Sequence, residues 1–299
     1  MVASLMSALP GSVAQGLIWG ILAIGVYITY KVLDFADLTV DGSLATGGAV
    51  AVMCMLNGAN TYVALILAFL AGMLAGLVTG LFHTALGIPP ILAGILTQLG
   101  LYSINMRIMG KANQAISVMQ YDVLVSLRYI PHACLLTTGF CIVIIALLYW
   151  FFGTEIGASV RATGCNPSMS RAQGINTDRN KVLGLMLSNG LVALSGALLT
   201  QYQGFADINM GRGSIVIGLA AVIIGEAIFG KIFRNFALRL LSVAFGSILY
   251  YLVLQTVIWM GIDTDLLKML SALVVAVFLA VPYWKAKYFS KPVKRGGNK

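Results

Sequence analysis

The sequence predicts an all-α polytopic membrane protein, with about nine membrane segments (eight to ten) in two inverted-topology halves with interrupted helices. Three observations lead to this fold class. Hydrophobic residues make up 59% of the 299 residues and charged residues only 10%, whereas soluble domains average roughly 25% charged. Long apolar stretches follow one another along the chain, and a short motif occurs twice in similar surroundings.

The predicted helical crossings account for nearly the whole chain. Each crossing needs about 20 apolar residues, so eight to ten crossings leave no room for a separate soluble domain. We therefore expect a single transmembrane domain over 1–299. It divides into a first half (1–152), a polar central loop (153–181), a second half (182–284) and a basic tail (285–299).

Hydropathy places the membrane segments in order along the chain. A run of glycine and two prolines at 87–90 interrupts the apolar pattern, because consecutive prolines prevent a continuous helix. The fourth segment therefore either crosses the membrane or enters it as a broken, re-entrant helix. The predicted segments lie near 13–31, 43–58, 61–83, 89–106, 131–152, 182–203, 214–230, 237–260 and 265–284.

Basic residues indicate the orientation. Of the 19 lysines and arginines, six lie in the tail and four in the central loop. Such clusters mark the cytoplasmic side of a membrane protein, so the net charge of +9 does not point to a nucleic-acid partner. Four segments join the loop to the tail, which keeps both inside. The five earlier segments then place the N-terminus outside and the C-terminus in the cytoplasm.

A repeated motif predicts the inverted halves. The four residues 35–38 read F-A-D-L and the four residues 205–208 read F-A-D-I. Each copy ends one apolar segment and precedes a shorter one that contains glycine. In the orientation above the two copies lie at opposite faces of the membrane. Inverted repeats with interrupted helices are typical of transporters, in which helix ends at the repeat interface line a polar path.

The repeat and one isolated carboxylate supply the candidates for this path. A carboxylate near a membrane segment costs free energy unless it faces protein or water. We therefore select one aspartate and one glutamate as candidates. The four cysteines do not have the spacing of metal ligands, and we expect no metal site. The candidate pathway residues are Asp41, Gly42 and Ser43 in the first half, and Asn209, Gly211, Arg212 and Glu226 in the second.

The third segment has a face of small residues for helix packing. Gly72, Gly76 and Gly80 follow Ala64 and Ala68 at intervals of four residues. A face without large side chains lets two helix backbones approach closely. The partner of this face is either another helix of the chain or a second subunit.

The central loop carries a full set of signals for a short helix. Asn166 is suited to cap its start, Pro167 fits the first helical position, and Gly174 fits a left-handed exit. A loop that only joins two segments has no need of such signals. We therefore predict a short helix on the membrane surface to which another protein binds.

Residues 157–175 read G-A-S-V-R-A-T-G-C-N-P-S-M-S-R-A-Q-G-I. This stretch resembles the cytoplasmic loop of permease subunits in the branched-chain amino acid and ribose family of ABC importers. The resemblance extends to residues 37–50, D-L-T-V-D-G-S-L-A-T-G-G-A-V, and to residues 217–230, I-G-L-A-A-V-I-I-G-E-A-I-F-G. These two stretches are most similar to a narrower branch that is described as tryptophan or tyrosine permeases.

The resemblance implies an assembly of several chains with different roles. Two permease copies, with a homodimer favoured, would form the pathway in the lipid bilayer of the bacterial cytoplasmic membrane. Two ATPase subunits would bind the cytoplasmic loops and hold ATP and Mg²⁺, and this chain would need no cofactor. An extracytoplasmic binding protein would deliver the substrate. The implied coupling contacts are Arg161, Ala162, Gly164, Asn166, Pro167, Ser170, Gln173 and Gly174, whereas Cys165 replaces a residue that is commonly polar.

The resemblance implies a small polar metabolite, and the narrower branch an aromatic amino acid. Branched-chain amino acids, nucleosides and sugars are alternative substrates that the sequence does not exclude. One alternative is an ion-coupled secondary transporter that uses Asp41 or Glu226. An intramembrane enzyme is a weaker alternative, since His83 and His132 are the only histidines and no nucleophile with a partner base is apparent. We therefore expect a transport subunit and not an enzyme.

Overall fold

The computed structural model describes residues 2–260, apart from 122, 231 and 234, and scattered residues between 266 and 280. This part is almost entirely helical, with one short π-helical turn and two short strands. The helices are α1 (Val2–Tyr27), α2 (Val40–Leu56), α3 (Thr61–Thr84), α4 (Pro90–Met109), α5 (Ile130–Gly153), α6 (Glu155–Cys165), α7 (Pro167–Ala172), α8 (Thr177–Gln203), α9 (Ser214–Phe229) and α10 (Phe236–Trp259). The π-helical turn covers Ile28–Val32, and the strands are β1 (Asn113–Ala115) and β2 (Phe205–Asp207).

Six helices of the described part are long and apolar enough to cross a membrane. They are α1 with its π-helical turn, α3, α4, α5, α8 and α10. Helices α2 and α9 are apolar but shorter, with 17 and 16 residues. At 1.5 Å per residue each is about 25 Å long, less than the roughly 30 Å of a hydrocarbon core.

The count of about nine segments is therefore not confirmed. Eight of the predicted segments coincide with apolar helices, but two of these are too short to count as full crossings. The ninth, 265–284, and the basic tail 285–299 lie outside the continuously described residues. The pair Pro89 and Pro90 lies where α4 begins, and α4 then continues for 20 residues. Its length favours a full crossing over a re-entrant segment.

Helix α8 is the centre of the bundle, and its packing explains the glycine face of α3. A Cβ on Gly72 would collide with the Asn189 carbonyl of α8, and one on Gly76 with the Leu185 carbonyl. A Cβ on Gly80 would lie 2.9 Å from Cγ2 of Val182 in α8. The glycine face of α3 thus packs against α8 of the same chain.

Helices α1 and α8 run antiparallel and are joined by two buried hydroxyl groups. The Ser195 hydroxyl donates to the Ile18 carbonyl at 2.7 Å, and the Ser188 hydroxyl donates to the Gly25 carbonyl at 2.7 Å. Serine is small enough for close helix contact, and its hydrogen bond to the neighbouring backbone adds to the packing. The central pair of helices is therefore held together along two turns.

The remaining helices pack around this pair through small residues. Gly16 of α1 packs on the backbone of Ile248, and the Ser247 hydroxyl of α10 donates to the Gly16 carbonyl at 2.7 Å. Gly225 of α9 meets the Ser242 carbonyl of α10. Together these contacts place α1, α8, α9 and α10 in one continuous core.

The two strands close the end of the bundle opposite α7. Strand β1 follows α4 and pairs antiparallel with β2, which follows α8, with Asn113 opposite Asp207. Ala206 of β2 is fully buried and packs with Ala49 and Val52 of α2 in a second apolar cluster. The strands thereby fix the chain entering α9 against α2.

Candidate functional site

The two short helices meet end to end inside the bundle. The Asp41 carboxylate, in the first turn of α2, accepts hydrogen bonds from the Gly213 amide at 2.9 Å, the Ser214 hydroxyl at 2.9 Å and the Ile215 amide at 3.0 Å. Gly213 has a left-handed φ of 85° and gives α9 no cap of its own. Asp41 therefore caps α9 from another helix, where a negative charge is favoured by the helix dipole.

The glycines beside this cap allow the close approach. A Cβ on Gly211 would collide with the Asp41 carbonyl, and one on Gly42 would lie 2.9 Å from Cδ1 of Leu101 in α4. Asn209 forms the turn before α9, and its carbonyl accepts a hydrogen bond from the Arg212 amide at 3.0 Å. The side chain of Arg212 is exposed next to this turn. Five of the predicted pathway residues are thus brought together, and Ser43 lies two residues after Asp41 in α2.

Ser43 belongs to a buried polar chain that sequence analysis did not find. Its hydroxyl donates to Oδ1 of Asn189 in α8 at 2.6 Å, and Nδ2 of Asn189 donates to Oδ2 of Asp37 at 2.7 Å. All three side chains are at most 2% exposed. A buried carboxylate is tolerated when hydrogen bonds replace the lost water. The signal was an asparagine inside an apolar segment, where polar side chains tend to face protein.

The two copies of the repeated motif adopt the same turn. The carboxylate of Asp37 accepts from the Thr39 amide at 2.9 Å, and that of Asp207 accepts from the Asn209 amide at 2.7 Å. An aspartate that bonds the amide two residues on is a common turn former. Each turn leads into a short helix, α2 in one case and α9 in the other.

Glu226 lies apart from this group. It is near the C-terminal end of α9, about 16 Å along the helix from Ile215 at 1.5 Å per residue. Its carboxylate forms an ion pair of 3.0 Å with Lys31 of the π-helical turn, and the two side chains are 30% and 46% exposed. Glu226 is thus placed at the face of the bundle where α1 ends, not beside Asp41.

The central loop folds as the local sequence signals predict. Oδ1 of Asn166 accepts from the Met169 amide at 3.0 Å, Pro167 is the first residue of α7, and Gly174 has a φ of 80°. The Ser170 hydroxyl turns back to the Asn166 carbonyl at 3.0 Å, and Gln173 caps the C-terminal end. The short helix and its cap are confirmed. Most of α7 is exposed, and a Cβ on Gly174 would meet open space.

Helices α6 and α7 are anchored to the two central helices. A Cβ on Gly164 would collide with the Val32 carbonyl at the end of the π-helical turn. Nε of Arg171 donates to the Thr177 hydroxyl at 2.8 Å, and its guanidinium lies 3.7 Å from Asp178 at the start of α8. A force on α7 would therefore reach α8 directly and α1 through α6.

The other predicted loop residues lie on α6. Ala162 is exposed, and the guanidinium of Arg161 lies 5.9 Å from the ring centre of Phe236 in α10. Asn180 of α8 donates to the Thr163 hydroxyl at 2.9 Å, which bonds α6 to α8. Among the described residues no group of three or more His, Cys, Asp and Glu could hold a metal ion.

Comparison with known proteins identifies the family. The family described as "Branched-chain amino acid transport system / permease component" matches residues 9–281. The tyrosine transport system permease protein of Clostridioides difficile is 40% identical over 275 residues, covering 92% of this chain and 91% of that protein. The fructose import permease protein FruF of Bifidobacterium longum is 24% identical, covering 87% and 73%.

A solved structure shows the same fold at low sequence identity. A chain of PsaBC from Streptococcus pneumoniae, solved in complex with Fab, aligns with a TM-score of 0.56 at 15% identity, covering 97% of this chain and 99% of that chain. The chain is a multi-pass protein of the bacterial cytoplasmic membrane and a transport subunit, not an enzyme. As an ABC permease it works with ATPase and substrate-binding partners. It belongs to the family described as "Branched-chain amino acid transport system / permease component" and is the membrane-spanning subunit of an ABC importer.

Proposed function

We propose that this subunit forms the pathway for an amino acid, with an aromatic one favoured, delivered by an extracytoplasmic binding protein and driven by two separate ATPase subunits. The tyrosine permease, at 40% identity, supports an aromatic substrate. The fructose permease is less similar, at 24% identity. The family membership favours this function over an ion-coupled carrier that uses Asp41 or Glu226. The hydrogen bonds of Asp41 and the ion pair of Glu226 give both carboxylates partners inside the chain.

We propose that the chain is one domain of two inverted halves, 1–152 and 182–284, joined by a coupling loop at 153–181. The contacts of α1 and α8 support it. Residues 18 and 188 correspond through the same offset of 170 as the repeated motif, and so do residues 25 and 195. Ile18 contacts Ser195, and Gly25 contacts Ser188. Exchanging the two halves turns the first contact into the second. A two-fold axis between antiparallel helices requires this relation.

This arrangement and the distribution of charged residues support an orientation in the membrane. We infer that α7 and the C-terminus lie in the cytoplasm and the N-terminus outside. Cys165 tests it, because it is an exposed thiol at the end of α6. A membrane-impermeant maleimide should label it in inside-out vesicles and not in intact cells, and Cys165→Ser should abolish the labelling. Labelling of Cys165 from the outside of intact cells would reverse the orientation.

The proposed assembly contains a second copy of this chain. The membrane-spanning windows of α4 and α5 are each only 28% buried within one chain. Their exposed apolar side chains are suited to lipid and to a partner helix. A homodimer would place two α7 helices on one side of the membrane, where each would fit a groove of one ATPase subunit.

The anchoring of α6 and α7 is the observation that carries the mechanism. When the ATPase subunits close, they would push α7, and the bonds of Arg171 and the close contact of Gly164 would pass the movement to α8 and α1. Because these two helices belong to different halves, the halves would rock against each other. The Asp41 cap lies between the halves and is the hinge of the proposed pathway. Arg212 and Asn209 line it, and Glu226 lies towards the cytoplasmic exit.

A pair of matched glycine variants tests the coupling role. Gly174 and Gly58 both have a φ of 80° and open space around them, but Gly58 lies in the loop between α2 and α3 at the other face. A valine in the left-handed region is strained by at least about 1–2 kcal/mol at either position. Gly174→Val should separate ATP hydrolysis from uptake in reconstituted vesicles, while Gly58→Val keeps them coupled.

Equal coupling in the two variants would contradict the role of α7. The same vesicles test the substrate, since uptake of labelled tyrosine should be competed by unlabelled tyrosine and tryptophan more strongly than by leucine or ribose. Competition by leucine or ribose alone would contradict the aromatic assignment and leave the coupling result untouched.

A further inference from the structure

A cavity formed by the described residues lies away from the Asp41 group. It has a volume of about 860 Å³ and opens between the end of α1, the end of α5, α6 and the start of α10. That volume lies within the roughly 300–1,000 Å³ of typical ligand sites. Neither the Asp41 group nor α7 contributes to its wall.

Three cationic side chains line the cavity: Lys31, Arg161 and Arg239. Lys31 is neutralised by its ion pair with Glu226. Neither arginine forms an ion pair with a carboxylate of the described residues. Within the described part of the chain, the wall therefore presents two guanidinium groups without a carboxylate counter-ion, and guanidinium binds phosphate through paired hydrogen bonds.

The position of the cavity indicates the depth of its ligand. Tyr149 and Trp150 lie on its rim and are 50% and 70% exposed. Leu147 and Val143, on the preceding turns of α5, are 59% and 56% exposed, which identifies this side of α5 as facing lipid. Tyrosine and tryptophan concentrate at the level of lipid headgroups. The mouth of the cavity therefore lies where headgroup phosphates lie.

We propose that this cavity binds the phosphate of an anionic phospholipid headgroup, held by Arg161 and Arg239. Basic pockets between helices at the cytoplasmic side are suited to such headgroups. The assignment to the cytoplasmic leaflet rests on the proposed function, but the binding chemistry does not. A bound lipid would link α6 to α10 and so stiffen the support of the coupling helix.

The experiment measures thermal stability of the full chain in detergent. Phosphatidylglycerol should raise the melting temperature more than phosphatidylcholine, because only a ligand that prefers the folded state stabilises it. Arg239→Gln should weaken the apparent affinity for phosphatidylglycerol by about tenfold or more, since it removes a charged hydrogen-bond donor. Arg161→Gln is the second variant in case the first does not fold.

Arg128→Gln is the matched control. Its guanidinium also lies 5.9 Å from an aromatic ring centre, that of Tyr129, but it precedes α5 and so lies at the opposite end of that helix. The control should keep the response to phosphatidylglycerol. Stabilisation by inorganic phosphate as large as that by the lipid would overturn the lipid assignment and give the same arginines to a soluble phosphate ligand.

The proposed site would be wrong if both lipids raised the melting temperature equally. It would also be wrong if both arginine variants kept the wild-type response to phosphatidylglycerol. None of these results depends on transport or on an ATPase, so failure here is distinct from failure of the proposed function.

Discussion

The Asp41 cap makes a graded prediction about stability. Replacing Asp41 by alanine leaves the amides of Gly213 and Ile215 without their acceptor. An unsatisfied buried donor costs about 1–3 kcal/mol, and loss of a carboxylate at a helix N-terminus costs a further 0.3–1 kcal/mol or so. The site is only partly buried, so these penalties do not apply in full. We expect Asp41→Ala to lower the free energy of unfolding by about 2–4 kcal/mol.

Asp41→Asn should cost less. Its amide oxygen can still accept from Ser214 and Ile215, but its amino group would face the Gly213 amide as a second donor. We expect a loss of about 1 kcal/mol, from one missing hydrogen bond and the missing charge. Asp34→Asn is the control, since Asp34 is exposed in the loop before α2 and asparagine tolerates its positive φ of 52°.

The assay is unfolding of the purified protein in mixed micelles. The expected order of unfolding free energies is wild type and Asp34→Asn first, then Asp41→Asn, then Asp41→Ala. A double-mutant cycle with Ser214→Ala should give a coupling of at least about 0.5 kcal/mol, because the two side chains are in contact. If Asp41→Ala were as stable as Asp34→Asn, the end-to-end arrangement of α2 and α9 would be wrong.

Three further predictions concern the packing, the coupling helix and the ion pair. Gly76→Ala should lower the yield of folded protein in the membrane, because its Cβ would collide with a backbone carbonyl of α8, whereas Gly100→Ala in open space should not. Asn166→Ala should destabilise α7 by about 1 kcal/mol and reduce ATPase stimulation by the permease, whereas Asn166→Asp keeps the cap and the stimulation; equal losses would contradict the cap. Lys31→Ala and Glu226→Ala should show a coupling below about 1 kcal/mol in unfolding measurements, because the pair is partly exposed; a much larger value would assign the pair a buried, structural role.

Local signals were readable from the sequence. The start and exit of α7 follow from Asn166, Pro167 and Gly174, because a cap, a first-turn proline and a left-handed glycine each act within a few residues. The glycine face of α3 was readable for the same reason, since close packing requires small side chains wherever the partner lies. The partner itself, α8, could not be read, because a periodic face does not identify the helix that covers it.

Contacts between distant segments were not readable. The bond of Asn189 to Asp37 joins residues 152 apart, and the Lys31–Glu226 pair joins residues 195 apart. Sequence analysis placed Asp41 and Glu226 in one pathway, whereas the structure sets them at opposite ends of α9. Hydropathy also does not distinguish a helix of 16 or 17 residues from a full crossing, which is why α2 and α9 were counted as ordinary segments.

The most direct test of the account is a pull-down of the tagged chain from native membranes, followed by an ATPase assay of the purified sample. The account predicts that an ATPase subunit co-purifies and that Gly174→Val reduces its association or its stimulation, whereas Gly58→Val does not. A preparation that contains no ATPase and still transports amino acids after reconstitution would contradict it.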